Sequence, residues 1–327
     1  MKPLTMIAAI NDAFKVEMRQ DPSVVVFGED VGVEGGVFRA TADLQKEFGE
    51  ERCFDSPLAE SAIAGSAMGM AIAGLRPIIE MQFSGFAWPA FDQVINHISR
   101  IRNRSRGTLT APMVIRMPYG GGIRALEHHS ESMEAIWGHI PGLKVVIPST
   151  PYDAKGLLIA AIRDEDPVVF MEPKRVYRAF KQEVPEDAYT LPIGKARVLH
   201  TGEQLTLLSY GAQMKEASAA AAILKKEGYS VELIDLRTIF PYDKETILES
   251  VRKTGRFLVV HEGPQTFGVA SELISAVTTE AFLHLEAPPS RLTGADTIFP
   301  LCRGEHHYMI STERIVAEAK NIINYAI

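Results

Sequence analysis

Short, largely apolar runs recur through the first half of the chain, at residues 24–27, 78–81, 113–116, 145–147 and 168–171. The first, Val24-Val25-Val26-Phe27, follows Asp21-Pro22 and stops at Gly28. Runs this short, without polar alternation, read as strands buried on both faces, as in a parallel sheet. Between them lie helix-length segments, clearest at 91–104 and 152–163. Upstream, Met6, Ile7, Ile10, Phe14 and Met18 recur at helical spacing behind Thr5, a good N-cap residue. Strands separated by helix-sized segments imply parallel pairing with helices on both faces of the sheet.

The pattern lapses once. Residues 173–202 are polar, carry Pro185 and Pro192, and hold no sustained period, which marks an interdomain linker. Alternation then resumes, with strands at 205–208, 231–236 and 257–260 and helices at 212–227, 243–254, 268–283 and 312–325. The prediction is an α/β protein of two domains, residues 1–180 and 203–327, joined by a linker at 181–202. A chain of 327 residues is longer than one core usually serves, so two complete cores are expected.

Hydrophobic residues make up 46% of the chain and charged residues 23%, which excludes disorder. An excess of 41 acidic over 34 basic side chains lacks the basic stripe of a nucleic-acid binder, yet leaves room for a basic protein partner. Cys53 and Cys302 cannot build a disulfide framework and form no Cys-x-x-Cys zinc pair, so a reducing cytoplasm is expected. Asn11 and Asp12 break the first apolar run too early for a secretory signal. The longest apolar stretch, 61–75, is shorter than the roughly 20 residues of a membrane span, so no membrane association is expected.

Ligands of open α/β sheets sit beyond the carboxyl ends of strands, which selects residues 28–30, 82–84, 118–129 and 149–150. Another candidate is Asp55-Ser56-Pro57-Leu58-Ala59-Glu60, leading into an Ala/Gly-rich helix. Ser56-Pro57 signals the helix start and puts Glu60 near the first turn, where a carboxylate at least complements the helix dipole. Gly65, Gly69 and Gly74 each cost about 1 kcal/mol against alanine in a helix interior, so another backbone is expected to pack closely there. That would place Glu60 inside something. Gly120-Gly121-Gly122 fits neither G-x-G-x-x-G after a strand nor the P-loop, so a phosphate cradle is weakly supported. The run leads to His128-His129-Ser130, where adjacent histidines diverge; one proton-donating histidine beside a cleft is favoured over a zinc site. His306-His307 reads as solvated surface. Phe83, Phe86 and Trp88 beside Gln82 are either core or a stacking face for a planar ring. The turn at 163–167 is either solvated or a cation site built from carbonyls and a carboxylate. No G-x-S-x-G elbow supports a serine hydrolase.

Several stretches occur together in order: Phe27-Gly28-Glu29-Asp30-Val31-Gly32, Gly35-Gly36-Val37-Phe38-Arg39, residues 55–60, Phe91-Asp92-Gln93-Val94-Ile95-Asn96 and His129-Ser130. They continue through Pro141-Gly142-Leu143-Lys144-Val145-Val146, Asp153-Ala154-Lys155-Gly156-Leu157, Asp235-Leu236-Arg237-Thr238 and Leu292-Thr293-Gly294-Ala295-Asp296. Over essentially its whole length the chain resembles the beta subunit of the thiamine-diphosphate-dependent first component, the decarboxylase, of 2-oxoacid dehydrogenase complexes.

The resemblance implies a transketolase-like pyrimidine-binding domain followed by a transketolase C-terminal-type domain. It implies that Glu60 bonds the aminopyrimidine ring of thiamine diphosphate, that Phe86 stacks on it, and that Leu58 and Gln82 lie nearby. His129 would face the reaction centre and deliver a proton as the acyl group passes to a lipoyl group, while Glu29 completes an acidic hydrogen-bond chain near Glu60. A buried carboxyl group with a raised pKa can share its proton with a ring nitrogen; the electron sink for decarboxylation belongs to the cofactor. Met113, Ala161, Ile162, Asp164 and Asp166 match a structural potassium site of some members. No Gly-Asp-Gly segment occurs, so magnesium and the diphosphate half of the site are expected from an alpha subunit, in a heterotetramer of two alphas and two betas. The second component would meet the chain through its lipoyl domain and a basic peripheral subunit-binding domain, the latter near Asp296 and the C-terminal residues. Pyruvate is the leading substrate; branched-chain 2-oxoacid and acetoin dehydrogenase beta subunits are alternatives. A non-catalytic docking scaffold is opposed by Glu60, Phe86 and His129 in their motif contexts.

Overall fold

The computed structural model describes residues 1–325, and among these three sheets form. The largest has seven strands, in the order Thr238–Phe240, Lys144–Val146, Val168–Pro173, Val114–Tyr119, Arg76–Glu80, Val24–Gly28 and Cys53–Asp55. All its pairs are parallel except the first. Five further strands form a second sheet, in the order Ser290–Gly294, Phe257–Pro264, Leu205–Ser209, Val231–Asp235 and Arg197–His200, antiparallel only at the last pair. Each apolar run read from the sequence is one of the central strands. Every residue of Val24–Gly28 and of Leu205–Ser209 is buried, as strands covered on both faces must be.

The helix Met6–Gln20 begins where expected: the Thr5 hydroxyl accepts the Ala8 N–H at 3.4 Å. It lies beside Pro151–Arg163, which Thr150 caps with Pro151 in its first turn. Arg163 then grips Glu17 through two hydrogen bonds of 2.7 and 2.8 Å. Under these helices Arg116 is fully buried, bonded to Glu172 at 2.6 and 2.7 Å and to Glu80, its guanidinium 5.7 Å from the Phe14 ring. Two carboxylates around one guanidinium tie three adjacent parallel strands together.

Three expectations change. The helix expected at 91–104 breaks into Phe91–Asn96, a 3-10 turn at Ile98–Arg100 and Ile101–Arg104. The Ile95 carbonyl accepts the Ser99 hydroxyl and the Arg100 guanidinium, bonds that compete with the helical ladder. The polar stretch at 181–202 is not bare linker, because Gln182–Val184 pairs with Lys2–Leu4 and Arg197–His200 forms the edge of the second sheet. Exposed edge strands carry few apolar residues, which hid them.

The third change concerns the core. One buried apolar cluster runs without interruption from Ile79, Met117 and Trp137 to Leu208, Tyr210, Ile234 and Val259, joining both halves of the chain. Separate clusters cover only the outer faces. The strand Thr238–Phe240 leaves the second half to pair with Lys144–Val146 of the first. Beside that crossing Arg237 bonds the buried Asp153, and Asp235 accepts the Arg237 N–H at 3.2 Å and the Ser149 hydroxyl.

Burial, aided by the Asp153 charge, pushes the Asp235 carboxyl up from 3.8 to about 7. A folded pKa above the unfolded one stabilises fully at low pH and is lost as pH rises through the folded value, here from roughly pH 4 to about pH 7. Asp235→Asn is therefore expected to flatten the decline of Tm across that window in scanning fluorimetry. A decline as steep as in the parent chain would contradict this assignment.

Candidate active site

Three loops leave the carboxyl ends of neighbouring strands and are tied into one rim. After Val24–Gly28 the chain turns at Asp30, whose φ of +58° is left-handed and whose carbonyl accepts the Gly36 N–H at 2.7 Å. Asp55, from the adjacent strand, accepts the N–H groups of Gly32 and Val33 at 2.6 and 3.1 Å. From the other side Gln82 donates its amide to Asp30 at 2.8 Å. Glu29 lies inside this rim, 8% exposed, with one carboxylate oxygen buried and unpartnered. Burial raises its pKa first, and the charges of Glu60 and Asp30 raise it further.

Glu60 opens the helix Glu60–Ile72 directly. Ser56-Pro57 does not cap it: the Ser56 N–H bonds the Gly28 carbonyl at 2.9 Å, which prolongs the strand pairing and delays the helix. Leu58 stands 81% exposed beside Glu60, which is only half-buried in this chain. The close-packing backbone expected over the glycines is absent from the described residues. Gly65 faces the Gln93 side chain, with a Cβ there 3.3 Å from its Oε1, but Gly69 and Gly74 face nothing within 4 Å. Ala62, Ser66, Gly69, Ile72 and Ala73 form an exposed apolar face instead.

Phe83 and the turn Ser84–Phe86 form an aromatic corner against His129, whose ring centroid is 4.3 Å from that of Phe83 and 5.0 Å from that of Phe86. The Phe86 ring meets the imidazole edge-on at 79°. Nδ1 of His129 lies 2.8 Å from the Glu127 carbonyl oxygen. A carbonyl only accepts, so this bond assigns the proton to Nδ1 and leaves Nε2 of neutral His129 as the free lone pair. His128 turns the other way, with Nδ1 3.3 Å from Glu131, so the two neighbours diverge as the sequence predicts. No three or more His, Cys, Asp or Glu side chains converge on a metal position among the described residues.

The glycine run has a different cause from a phosphate cradle. A Cβ on Gly120 would overlap the Glu262 carboxylate, one on Gly121 the Phe299 ring, and one on Gly122 the Arg175 side chain. Small residues suit this loop because it is pressed against the second half of the chain at Gly120 and Gly121 and against Arg175 of the first half at Gly122. Gly85 plays the same part beneath the loop, where a Cβ would overlap the His128 carbonyl. Glu262, near the end of the strand Phe257–Pro264, is a site neighbour that the sequence reading missed. The strand-end rule applied to the second sheet would have found it.

Family descriptions match both halves: "Transketolase, pyrimidine binding domain" over residues 2–179 and "Transketolase, C-terminal domain" over residues 194–315. Over 322 residues the chain is 58% identical to the pyruvate dehydrogenase E1 component subunit beta of Acholeplasma laidlawii, covering 98% of each. Identity is 53% to the subunit of the same name in Mycoplasma pneumoniae, covering 97% of each chain. To that of Staphylococcus aureus it is 51%, covering 99% of this chain and all of the relative. The chain belongs to the pyruvate dehydrogenase E1 beta subunit family. A solved chain titled "Split gene transketolase, inactive beta4 tetramer" superposes with a TM-score of 0.79 at 21% identity, covering 98% and 99% of the two chains, and shares the fold.

Within this beta-subunit fold the turn matched to potassium is already well bonded. The Met113 carbonyl accepts the Val168 N–H at 3.0 Å, and the Ala161 carbonyl accepts the Asp164 N–H at 3.3 Å. Arg76 donates to the carbonyls of Ile162 and Asp164 at 3.1 Å each, Lys144 is 2.7 Å from the Asp164 carboxylate, and Arg102 bonds Asp166. Each carbonyl keeps a second lone pair, so the donors remain hard oxygens suited to such an ion. At the far end of the chain Asp296 spends its carboxylate on Thr266, at 2.6 and 2.8 Å, and these bonds hold its pKa below the usual range. His306 and His307 are both exposed, their rings 3.8 Å apart. Of the C-terminal residues expected to dock a partner, Ala326 and Ile327 lie outside the described residues. No helix among those described is long and apolar enough to cross a membrane.

Proposed function

We propose that this chain is the beta half of a thiamine-diphosphate-dependent pyruvate dehydrogenase that works with an alpha subunit to decarboxylate pyruvate and pass the acetyl group to a lipoyl group of the second component. The observation that carries this reading is the acid pair Glu29 and Glu60 on a rim that the Gln82–Asp30 bond joins to the strand end carrying the Phe83–Phe86–His129 corner. The residues suit a pyrimidine ring: Glu60 is free to hold a proton at a ring nitrogen, Phe86 and Leu58 offer apolar surface, and the unpartnered Glu29 oxygen still wants a donor. Thiamine diphosphate, when bound, supplies the carbon that adds to the keto group and the sink for the electron pair left by carbon dioxide. Covering the rim would bury Glu60 as well as Glu29 and exclude water from the pair. Nε2 of His129 first takes up a proton on its free lone pair and then delivers it at the acyl-transfer step.

Half of the site lies outside this chain. No Gly-Asp-Gly segment is present for magnesium and diphosphate, and the alpha subunit supplies it. Val33, Leu58, Trp88 and Leu126 are exposed, together with the small-residue face of Glu60–Ile72. Apolar exposure on this scale suits subunit contacts in an assembly of two alphas and two betas. The chain alone, given cofactor and magnesium, is expected to turn over no pyruvate, and to do so once the alpha subunit is added. Glu60→Ala in that assembly is expected to abolish decarboxylation; near-normal rates would refute the assignment.

Two further parts of the reading have their own tests. The main-chain oxygens of Met113, Ala161 and Ile162, with Asp164 and Asp166, hold a potassium ion among the cations of Arg76 and Lys144. Tm is then higher in potassium chloride than in sodium chloride at equal ionic strength, and equal values would remove the ion from the account. The net charge of −7 favours docking of a basic peripheral subunit-binding domain near Asp296 and the chain's C-terminal end, with the lipoyl domain reaching His129. Binding of that domain weakens as salt is added; salt-insensitive binding argues against a charge-led contact.

A further inference from the structure

We propose that Glu262, a residue of the second half of the chain, is the positioning residue that sets the place of His129. Residues 121–132 form a loop that leaves the strand Val114–Tyr119, carries His129 and returns to its own base. A single carboxylate oxygen receives both ends of that loop: Glu262 Oε1 accepts the Gly121 N–H at 2.8 Å and the Ser132 hydroxyl at 3.3 Å. Glu262 is 4% exposed and sits near the end of a strand of the second sheet. Around it the neck is closed by the Gly120 N–H on the Glu131 carbonyl at 3.1 Å and by Lys174 on the Gly120 carbonyl. Farther along, Glu305 accepts the Arg124 N–H at 3.0 Å.

Between these ties the loop is exposed and has few bonds of its own. Ile123, Arg124, Leu126, Glu127 and His128 are exposed, and Arg124 and His128 have left-handed φ values of +56° and +65°. Strained, exposed backbone persists only where its surroundings over-determine it. The Glu127 carbonyl that orients His129 lies inside this segment, so the ring's position depends on the neck as well as on its packing against Phe83 and Phe86. Gly120, at a left-handed φ of +81°, leaves the space that the Glu262 carboxylate occupies, where a Cβ would overlap it. The second half of the chain, which contributes none of the rim residues, thus decides where the proton donor stands.

This inference rests on the reading of His129 as the acyl-transfer proton donor, and the experiment separates the two. In the assembly with the alpha subunit, Glu262→Ala is expected to lower acetyl transfer to a lipoyl domain by roughly 10²-fold, the cost of a misplaced group. Decarboxylation measured with an artificial electron acceptor should fall much less. Glu262→Gln keeps an accepting oxygen for Gly121 and Ser132 and should restore transfer. In a His129→Ala background, Glu262→Ala should cost nothing further, as coupled residues are non-additive. Trypsin acting on the full chain should cut after Arg124 faster in Glu262→Ala than in the parent or in Glu262→Gln. Equal losses in both half-reactions, additive losses with His129→Ala, or unchanged cleavage would each overturn the proposal. If His129→Ala leaves transfer intact while Glu262→Ala speeds cleavage, the role given to the histidine fails and the clamp stands. Should Glu262→Ala not assemble, Ser132→Ala removes one of the two bonds and carries the same comparisons with smaller effects.

Discussion

The contact between the two sheets is the constraint on which the rest of this molecule depends. Its apolar layer is continuous from Met117 and Trp137 to Leu208 and Val259, so neither half buries its inner face without the other. A fully buried side chain of this size is worth about 1.5–3 kcal/mol, and a handful of them outweighs the cost of holding two domains in one orientation. Several polar groups caught in the layer find specific partners, although one oxygen of Glu134 and Nε of Arg237 remain unpartnered. Arg237 bonds Asp153, Asp235 reaches Ser149, and Tyr210 donates to Glu134 at 3.0 Å. Burial raises the Glu134 carboxyl to about 7, as it does Asp235, so the seam carries acids that favour their protons.

Rigidity at the seam is what makes an exposed site workable. The rim that holds Glu29, Asp30, Asp55 and Gln82 is cross-tied by their own hydrogen bonds to backbone and side chain. The histidine loop has only short-range ties of its own and takes further anchorage from Glu262 and Glu305 across the seam. A site assembled from loops can be accurate when each loop is fixed at its base to a packed strand. The electrostatics follow the same division. Glu29 is inside and raised, whereas Glu60, on an open helix end, awaits a covering surface.

The glycines show how far residue-level reasoning reaches. A run such as Gly120-Gly121-Gly122 signals that something approaches the backbone, but a phosphate, a ring or a carboxylate produce the same requirement. Only the folded chain shows that Glu262, Phe299 and Arg175 are the neighbours. At Gly69 and Gly74 the signal is the same and the chain supplies no neighbour. The Ser56-Pro57 signal misplaced a helix start for a related reason: strand pairing with Gly28 outcompeted the local capping preference. The polar edge strand Gln182–Val184 was likewise decided by a partner distant in sequence, whereas the helix at 91–104 was broken by side-chain bonds within one turn.

Local chemistry settled much of this protein in advance. The central strands, the Thr5 and Thr150 caps, the parallel alternation and the short motifs around Glu60 and His129 are legible residue by residue, because each depends on neighbours within a few positions. The tertiary structure alone decided that the two halves share one core, that Thr238–Phe240 crosses into the first sheet, and that the histidine is held from the far side of the seam. Those contacts join residues far apart in sequence, 141 positions for Gly121 and Glu262, and no local period or propensity encodes them. They arise when apolar faces made by local rules have to be buried against each other.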